Sequence, residues 1–147
     1  MLGNQINILL IEDSITDASI LEAAFAGFEE SISLQVARDG FEALARLEEA
    51  SASSKMPHII LLDLNLPGKS GHDVLSGIKN HIQWKITPTI VLSSSTLPAD
   101  ILKSYELRAN AYLTKPRTLE GYELIARRIR SFWLKTSQLP ASQPAIS

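Results

Sequence analysis

Four consecutive aliphatic residues, Ile59-Ile60-Leu61-Leu62, run directly into an acid, Asp63. Successive side chains of a strand point to opposite faces, so an all-aliphatic strand needs apolar cover on both. Ile90-Val91-Leu92, ending in Ser93, makes the same demand. Strands covered twice belong to parallel sheets held between helices. The predicted strands are Ile6–Ile11, Ile32–Ala37, Ile59–Leu62, Thr89–Leu92 and Ala111–Leu113. Between them lie segments with apolar residues at helical spacing. These are Ile20, Leu21, Ala24, Phe25 and Phe28; Phe41, Leu44, Ala45 and Leu47; and Val74, Leu75 and Ile78. Ile101, Leu102 and Tyr105 follow, then Leu119, Tyr122, Ile125, Ala126, Ile129 and Phe132. Ser14-x-x-Asp17 resembles a capping box, and Thr96 and Thr118 read as N-caps, with Pro98 tolerated in a first turn. The fold class is α/β: a (βα)5 doubly wound, five-stranded parallel sheet.

The chain has 147 residues, the size of one domain with a single sizeable core. The domain is expected over residues 1–136, with the last helix at about 118–135 and a mobile tail over 137–147. A net charge of −2 gives no bulk electrostatic case for nucleic acid. The absence of cysteine excludes disulfides, thiolate zinc sites and cysteine nucleophiles. The apolar run Ile8–Ile11 is too short for a signal sequence and has no basic residue before it, and no stretch is long enough to cross a bilayer. The expectation is a soluble, cytoplasmic protein with no membrane contact.

In an open α/β sheet, ligands bind outside the carboxyl ends of the strands. Strand 1 ends in Glu12-Asp13, strand 3 in Asp63-Leu64-Asn65-Leu66-Pro67-Gly68, strand 4 in Ser93-Ser94-Ser95, and strand 5 in Thr114-Lys115-Pro116. Singly, each has a bland reading. Glu12-Asp13 can cap a helix, Asp63 can bond its own loop, and Lys115 can be a solvated surface lysine. Together, three carboxylates on one edge repel one another unless positive charge joins them. Lys115 supplies one charge, and a Mg²⁺ held by carboxylates, a carbonyl and waters supplies two more. Such a site suits acyl-phosphate formation on a carboxylate whose repulsion toward phosphoryl oxygens is neutralised.

Glu12-Asp13, Asp63-Leu-Asn-Leu-Pro-Gly, Ser93 and Ala111-Tyr112-Leu-Thr-Lys115-Pro116 resemble the motif set of response-regulator receiver domains, the CheY-like phosphoacceptors of two-component signalling. The likeness covers about Ile6 to Leu134, and the intervals from Asp63 to Ser93 and to Lys115 are those of the family. It implies that Asp63 is the phosphoacceptor. It implies Mg²⁺ (or Mn²⁺) ligation by Asp13, Asp63 and the Asn65 backbone carbonyl, with Glu12 reaching the metal directly or through water. Lys115 would pair with Asp63 at rest and with a phosphoryl oxygen afterwards. Ser93 would bond another phosphoryl oxygen, and Tyr112 would follow into the vacated space. The Lys115–Pro116 peptide is expected to be cis. Asn65 and Ser95 hold the positions that tune dephosphorylation. Glu12 departs from the commoner Asp, and Ser93 from the commoner Thr. A receiver of this kind is a switch that assists its own phosphorylation and dephosphorylation; it is not an enzyme acting on an external metabolite.

Asp63-Leu-Asn-Leu-Pro, Val91-Leu-Ser-Ser-Ser-Thr, Ile101-Leu-Lys-Ser-Tyr and Phe132-Trp-Leu further resemble the single-domain regulators that partner cyanobacterial and bacterial phytochrome kinases. This implies a phytochrome-type histidine kinase as partner. It also implies a homodimer through the strand 5–helix 5 face and the C-terminal helix, with Phe132 and Trp133 as anchors. The plainer reading of that aromatic pair is core packing of a long helix. Arg127, Arg128, Arg130 and Lys135 make the same helix basic, either as a solvated face or as one side of ion pairs. His58, His72 and His81 suggest no metal cluster, and no G-x-x-x-x-G-K-[ST] loop is present. Two rival readings exist. A haloacid-dehalogenase-like phosphohydrolase wants a second Asp where this chain has Asn65, and a cap insertion. A receiver-shaped scaffold that no longer signals would have little reason to carry every phosphorylation residue.

Overall fold

The computed structural model describes residues 5–140. The chain runs β1 (Ile6–Ile11), α1 (Ile15–Ala26), β2 (Ile32–Ala37), α2 (Gly40–Ala52), β3 (Ile59–Leu62) and α3 (Gly71–Lys79). A 3-10 turn at Trp84–Ile86 leads to β4 (Thr89–Ser93), α4 (Pro98–Glu106), β5 (Ala111–Thr114) and α5 (Leu119–Ile129). All five strands are parallel, in the order β2-β1-β3-β4-β5. The strand order reverses at β1, so a crevice opens beyond the carboxyl ends of β1 and β3.

The aliphatic strands divide their side chains between two layers, as their composition demands. Leu9, Ile11, Ile60, Leu62 and Val91 pack under Leu47 of α2 and Val74, Leu75 and Ile78 of α3. Ile8, Leu10, Ile59, Leu61, Ile90 and Leu92 pack under Leu21 and Phe25 of α1 and Tyr122, Ala126 and Ile129 of α5. Each fully buried aliphatic side chain here contributes about 1.5–3 kcal/mol by leaving water.

Helix faces were less legible. Phe41, Leu102 and Leu119, which the spacing places on core stripes, are exposed, and Ser104 is the buried residue of α4. Helix α4 lies beside the edge strand β5, where little sheet surface remains to cover. Its N-cap is Leu97 without a side-chain bond, not Thr96. Ser95 serves the turn instead, accepting from Leu97 N and donating to Asp100 Oδ2. Thr118 does cap α5, accepting from Gly121 N at 3.0 Å.

The last helix continues to Thr136, but from Arg130 onward it is a wider π-helix. Trp133, Leu134 and Leu139 pack against the α1–α5 layer, while Phe132 is 52% exposed. The extension is tied to the α1–β2 turn. Glu30 takes Arg130 at 2.7 Å and Lys135 at 3.4 Å, and Arg130 lies over the Phe28 ring. Two of the basic residues are therefore neutralised within the chain. The expected tail over 137–147 lies largely outside the described residues. Its described beginning is anchored by Leu139 and by Ser137 Oγ donating to Trp133 O.

Candidate functional site

Register delivers the site. Ile11 of β1 stands opposite Leu62 of β3, so the residues that follow, Glu12 and Asp63, are neighbours. The sheet ladder extends one residue past each strand: Asp63 N donates to Ile11 O, Glu12 N to Ala37 O, and Lys115 N to Ser93 O, at 3.0, 2.9 and 2.8 Å. The backbones of Glu12, Asp63 and Lys115 are thus as fixed as the sheet. Beyond Asp63 the loop folds back over the start of α3, where Gly71 N donates to Leu64 O. A Cβ on Gly71 would lie 2.3 Å from Leu64 Cα, so only glycine allows this approach.

Carboxylate oxygens of Glu12, Asp13 and Asp63 lie within 4.8 Å of one another; Glu12 and Asp63 are buried and Asp13 is exposed. Asp63 Oδ1 accepts from Asn65 N at 3.3 Å, as a loop aspartate would, and its Oδ2 faces Lys115 at 3.3 Å. The loop reading and the site reading of Asp63 hold together, one on each oxygen. Glu12 Oε2 accepts from Ser14 N. Glu12 Oε1 is 2.7 Å from Lys115 Nζ, an ion pair whose angles fall outside hydrogen-bond geometry.

The electrostatics reflect crowding. Burial pushes the Glu12 carboxyl up to about 7, and the charge of Asp63 adds to this, against the opposing pull of Lys115. Burial alone would lower the Lys115 ammonium; its contacts with Glu12 and Asp17 and the charge of Asp63 outweigh that and hold it above its ordinary value. One ammonium among this many acids leaves the edge negative. Its donors are hard oxygens, the set that suits Mg²⁺ or Mn²⁺.

Sequence reasoning missed Asp17. It stood as the N3 acid of a capping box, and half of that box forms: Ser14 Oγ accepts from Asp17 N at 3.2 Å. The other half does not, because Glu12 already holds the Ser14 N–H. The Asp17 carboxylate turns to Lys115 Nζ instead, at 2.9 Å, closer than Asp63. Its place in the first turn of α1, directly after the acidic end of β1, was the signal that could have found it.

Ser93 is fully buried, and its Oγ accepts from Ser95 N at 3.2 Å. Tyr112 Oη donates to Ser95 O at 2.8 Å. Both expected switch residues therefore reach Ser95, which Asp100 ties to α4. The Lys115–Pro116 peptide is trans, contrary to expectation: no peptide bond among the described residues is cis. Trans is the lower-energy isomer. Gly121 lacks the Cβ that would lie 2.4 Å from Pro116 Cβ, so the proline ring packs directly on the first turn of α5. The histidines serve structure. His58 Nδ1 accepts from Asn7 N, His72 Nε2 meets Ser104 Oγ, and His81 stacks on Trp84. Among the described residues, no helix is long and apolar enough to cross a membrane.

Residues 8–127 match the response regulator receiver domain family. The response regulator Rcp1 of Synechocystis sp. is 41% identical over 92% of this chain and 93% of its own length. Among solved structures, the phosphorylated cyanobacterial phytochrome response regulator RcpA is similar with a TM-score of 0.88 and 39% identity, over 93% of this chain and 99% of that one. The Mn²⁺-bound form of Rcp1 is similar with a TM-score of 0.84 and 40% identity, over 92% and 99%.

Proposed function

The chain belongs to the response regulator receiver family, signalling proteins of the phosphorelay, and from that premise we propose that Asp63 accepts a phosphoryl group from a histidine kinase. The observation that carries this is the edge itself: a buried aspartate at a strand end, two further acids within 4.8 Å, and one ammonium in contact. A bound Mg²⁺ (or Mn²⁺), held by Glu12, Asp13, Asp63 and the Asn65 carbonyl, would neutralise repulsion between the carboxylate and the incoming phosphoryl oxygens. An Asp63 oxygen then attacks phosphorus. The O–P bond forms as the P–N bond to the kinase histidine breaks, and the bonding pair stays on the imidazole. Lys115 holds a phosphoryl oxygen, and Ser93 leaves Ser95 N to hold another. Asn65, exposed on the loop, and Ser95 set water access and hence hydrolysis. In this sense the protein assists both its phosphorylation and its dephosphorylation.

Movement of Ser93 releases Ser95, which also carries Tyr112, so loading of Asp63 shifts the population of the α4–β5–α5 arrangement. RcpA is a cyanobacterial phytochrome response regulator, which supports a phytochrome-type kinase as partner; a cytoplasmic location belongs to the same reading. Phe132, 52% exposed at the end of the extension, supports a homodimer through this face. Trp133, packed on its own core, contributes by holding Phe132 edge to face. Phe132→Ser should weaken self-association at least tenfold in sedimentation without lowering thermal stability.

The test is intact mass after incubation with Mg²⁺ and acetyl phosphate. The wild type should gain one phosphoryl group and Asp63→Asn none. Steady phosphate release from sugar phosphates would point instead to a phosphohydrolase, and no uptake at all to a scaffold.

A further inference from the structure

The ammonium of Lys115 has three hydrogens and three carboxylate neighbours. They are Glu12 at 2.7 Å, Asp17 at 2.9 Å and Asp63 at 3.3 Å. The proposed acceptor is the farthest. Asp17 projects from the first turn of α1. Its carboxylate is free to do so because Glu12 Oε2 has taken the Ser14 N–H that a capping-box acid would bond. The phenol of Tyr122, buried on α5, is pushed up to about 12 by burial first and then by the Asp17 charge. Fixed by the Ser14 cap at its backbone and by Lys115 at its carboxylate, this acid is more than a helix-end charge.

We propose that Asp17 is a positioning residue of the phosphoacceptor site: it holds the Lys115 ammonium toward α1 and so restrains loading of Asp63. The inference rests on the reading of Asp63 as acceptor. Loading replaces the single charge of Asp63 with the roughly double charge of a phosphoryl group. Every nearby carboxylate opposes that change. Glu12 and Asp13 are compensated because they also attract the divalent cation. Asp17 contacts Lys115 and is absent from the acid cluster. It competes with the phosphoryl oxygens for the one ammonium available and repels them. Removing its charge frees Lys115 to swing to Asp63.

The experiment is the rate of phosphoryl uptake from acetyl phosphate at saturating Mg²⁺. In this reaction the Asp63 O–P bond forms as the bond from phosphorus to the acetyl oxygen breaks, releasing acetate. Asp17→Asn should load faster than wild type by about three- to tenfold, a range set by one charge partly screened by water. Asp17→Ser should behave alike. Asp17→Glu, which keeps the charge, should return most of the gain. Ser14 Oγ bonds the backbone N–H of residue 17, so the cap survives each change. In the metal-free protein, the Lys115 side-chain NMR signals should move in Asp17→Asn and less in Asp17→Glu. A purely structural role would instead lower the melting temperature with no gain in rate. Loading of Asp17→Asn and Asp17→Ser at or below the wild-type rate overturns the inference while leaving Asp63 as acceptor. No loading of the wild type overturns the acceptor reading itself.

Discussion

Lys79, buried, and Lys115, partly buried, lie at opposite ends of the sheet, and they have opposite surroundings. Lys79, at the amino ends of β4 and β5, is 5% exposed and donates to Lys85 O, Thr87 O and Asn110 Oδ1 at 3.1, 3.0 and 2.9 Å. Three donors meet three neutral acceptors, so nothing is left to react. Burial lowers this ammonium to about 8. Lys115, at the carboxyl ends, meets carboxylates only and is held above its ordinary value. The same side chain is a clamp where its neighbours are neutral and saturated. It becomes part of a charge-handling site where its neighbours are acids in excess.

The sharpest way to break this contrast is to remove each lysine in turn. Lys115→Ala should cut phosphoryl uptake by about 100-fold, the usual effect of deleting one charge-stabilising donor. Lys79→Met should leave the uptake rate of the folded protein unchanged. It should cost about 2 kcal/mol in urea unfolding, because buried acceptors lose their donor. Equal loss of uptake in both variants would erase the distinction.

The pH dependence of stability separates the two ends by a smaller effect. The Lys79 ammonium titrates near 8 when folded and near 10.5 when unfolded, so between those values the unfolded chain holds the extra proton. Stability from this group is therefore fully present above about 10.5 and is lost as pH falls through about 8. The difference between wild type and Lys79→Met should grow in favour of the wild type by the order of 1–3 kcal/mol from pH 8 to 10.5. Parallel curves would mean that Lys79 is not desolvated.

The smallest expected effect is that of metal. Saturating Mg²⁺ should raise the melting temperature by about 3 °C in the wild type and in Lys79→Met alike. It should raise it much less in Asp13→Asn. A shift that ignores Asp13 would place the cation elsewhere.

How much of this was legible in the chain follows from the physics of each element. Strands buried on both faces show as unbroken aliphatic runs, so β3 and β4 and the residues that end them were readable from burial; β1, β2 and β5, less fully covered, were readable from shorter apolar stretches between helical segments. Helix faces were not, because spacing says which residues share a side and not whether a sheet lies beneath it. Phe41, Leu102 and Leu119 lie where cover runs out. The acids Glu12, Asp13 and Asp63 were found because they end strands. Asp17 was hidden behind a local motif that it satisfies only with its backbone. The packing of Pro116 on Gly121 joins residues of two elements and has no local signature.

The central claim is that the acid edge takes a phosphoryl group on Asp63 when a divalent cation balances it. Fluorine NMR of the protein with beryllofluoride, an analogue of the phosphoryl group, tests this most directly. Bound fluorine signals should appear in the wild type only when Mg²⁺ is present and should be absent from Asp63→Asn. Signals that persist without the cation or without Asp63, or that never appear in the wild type, would contradict it.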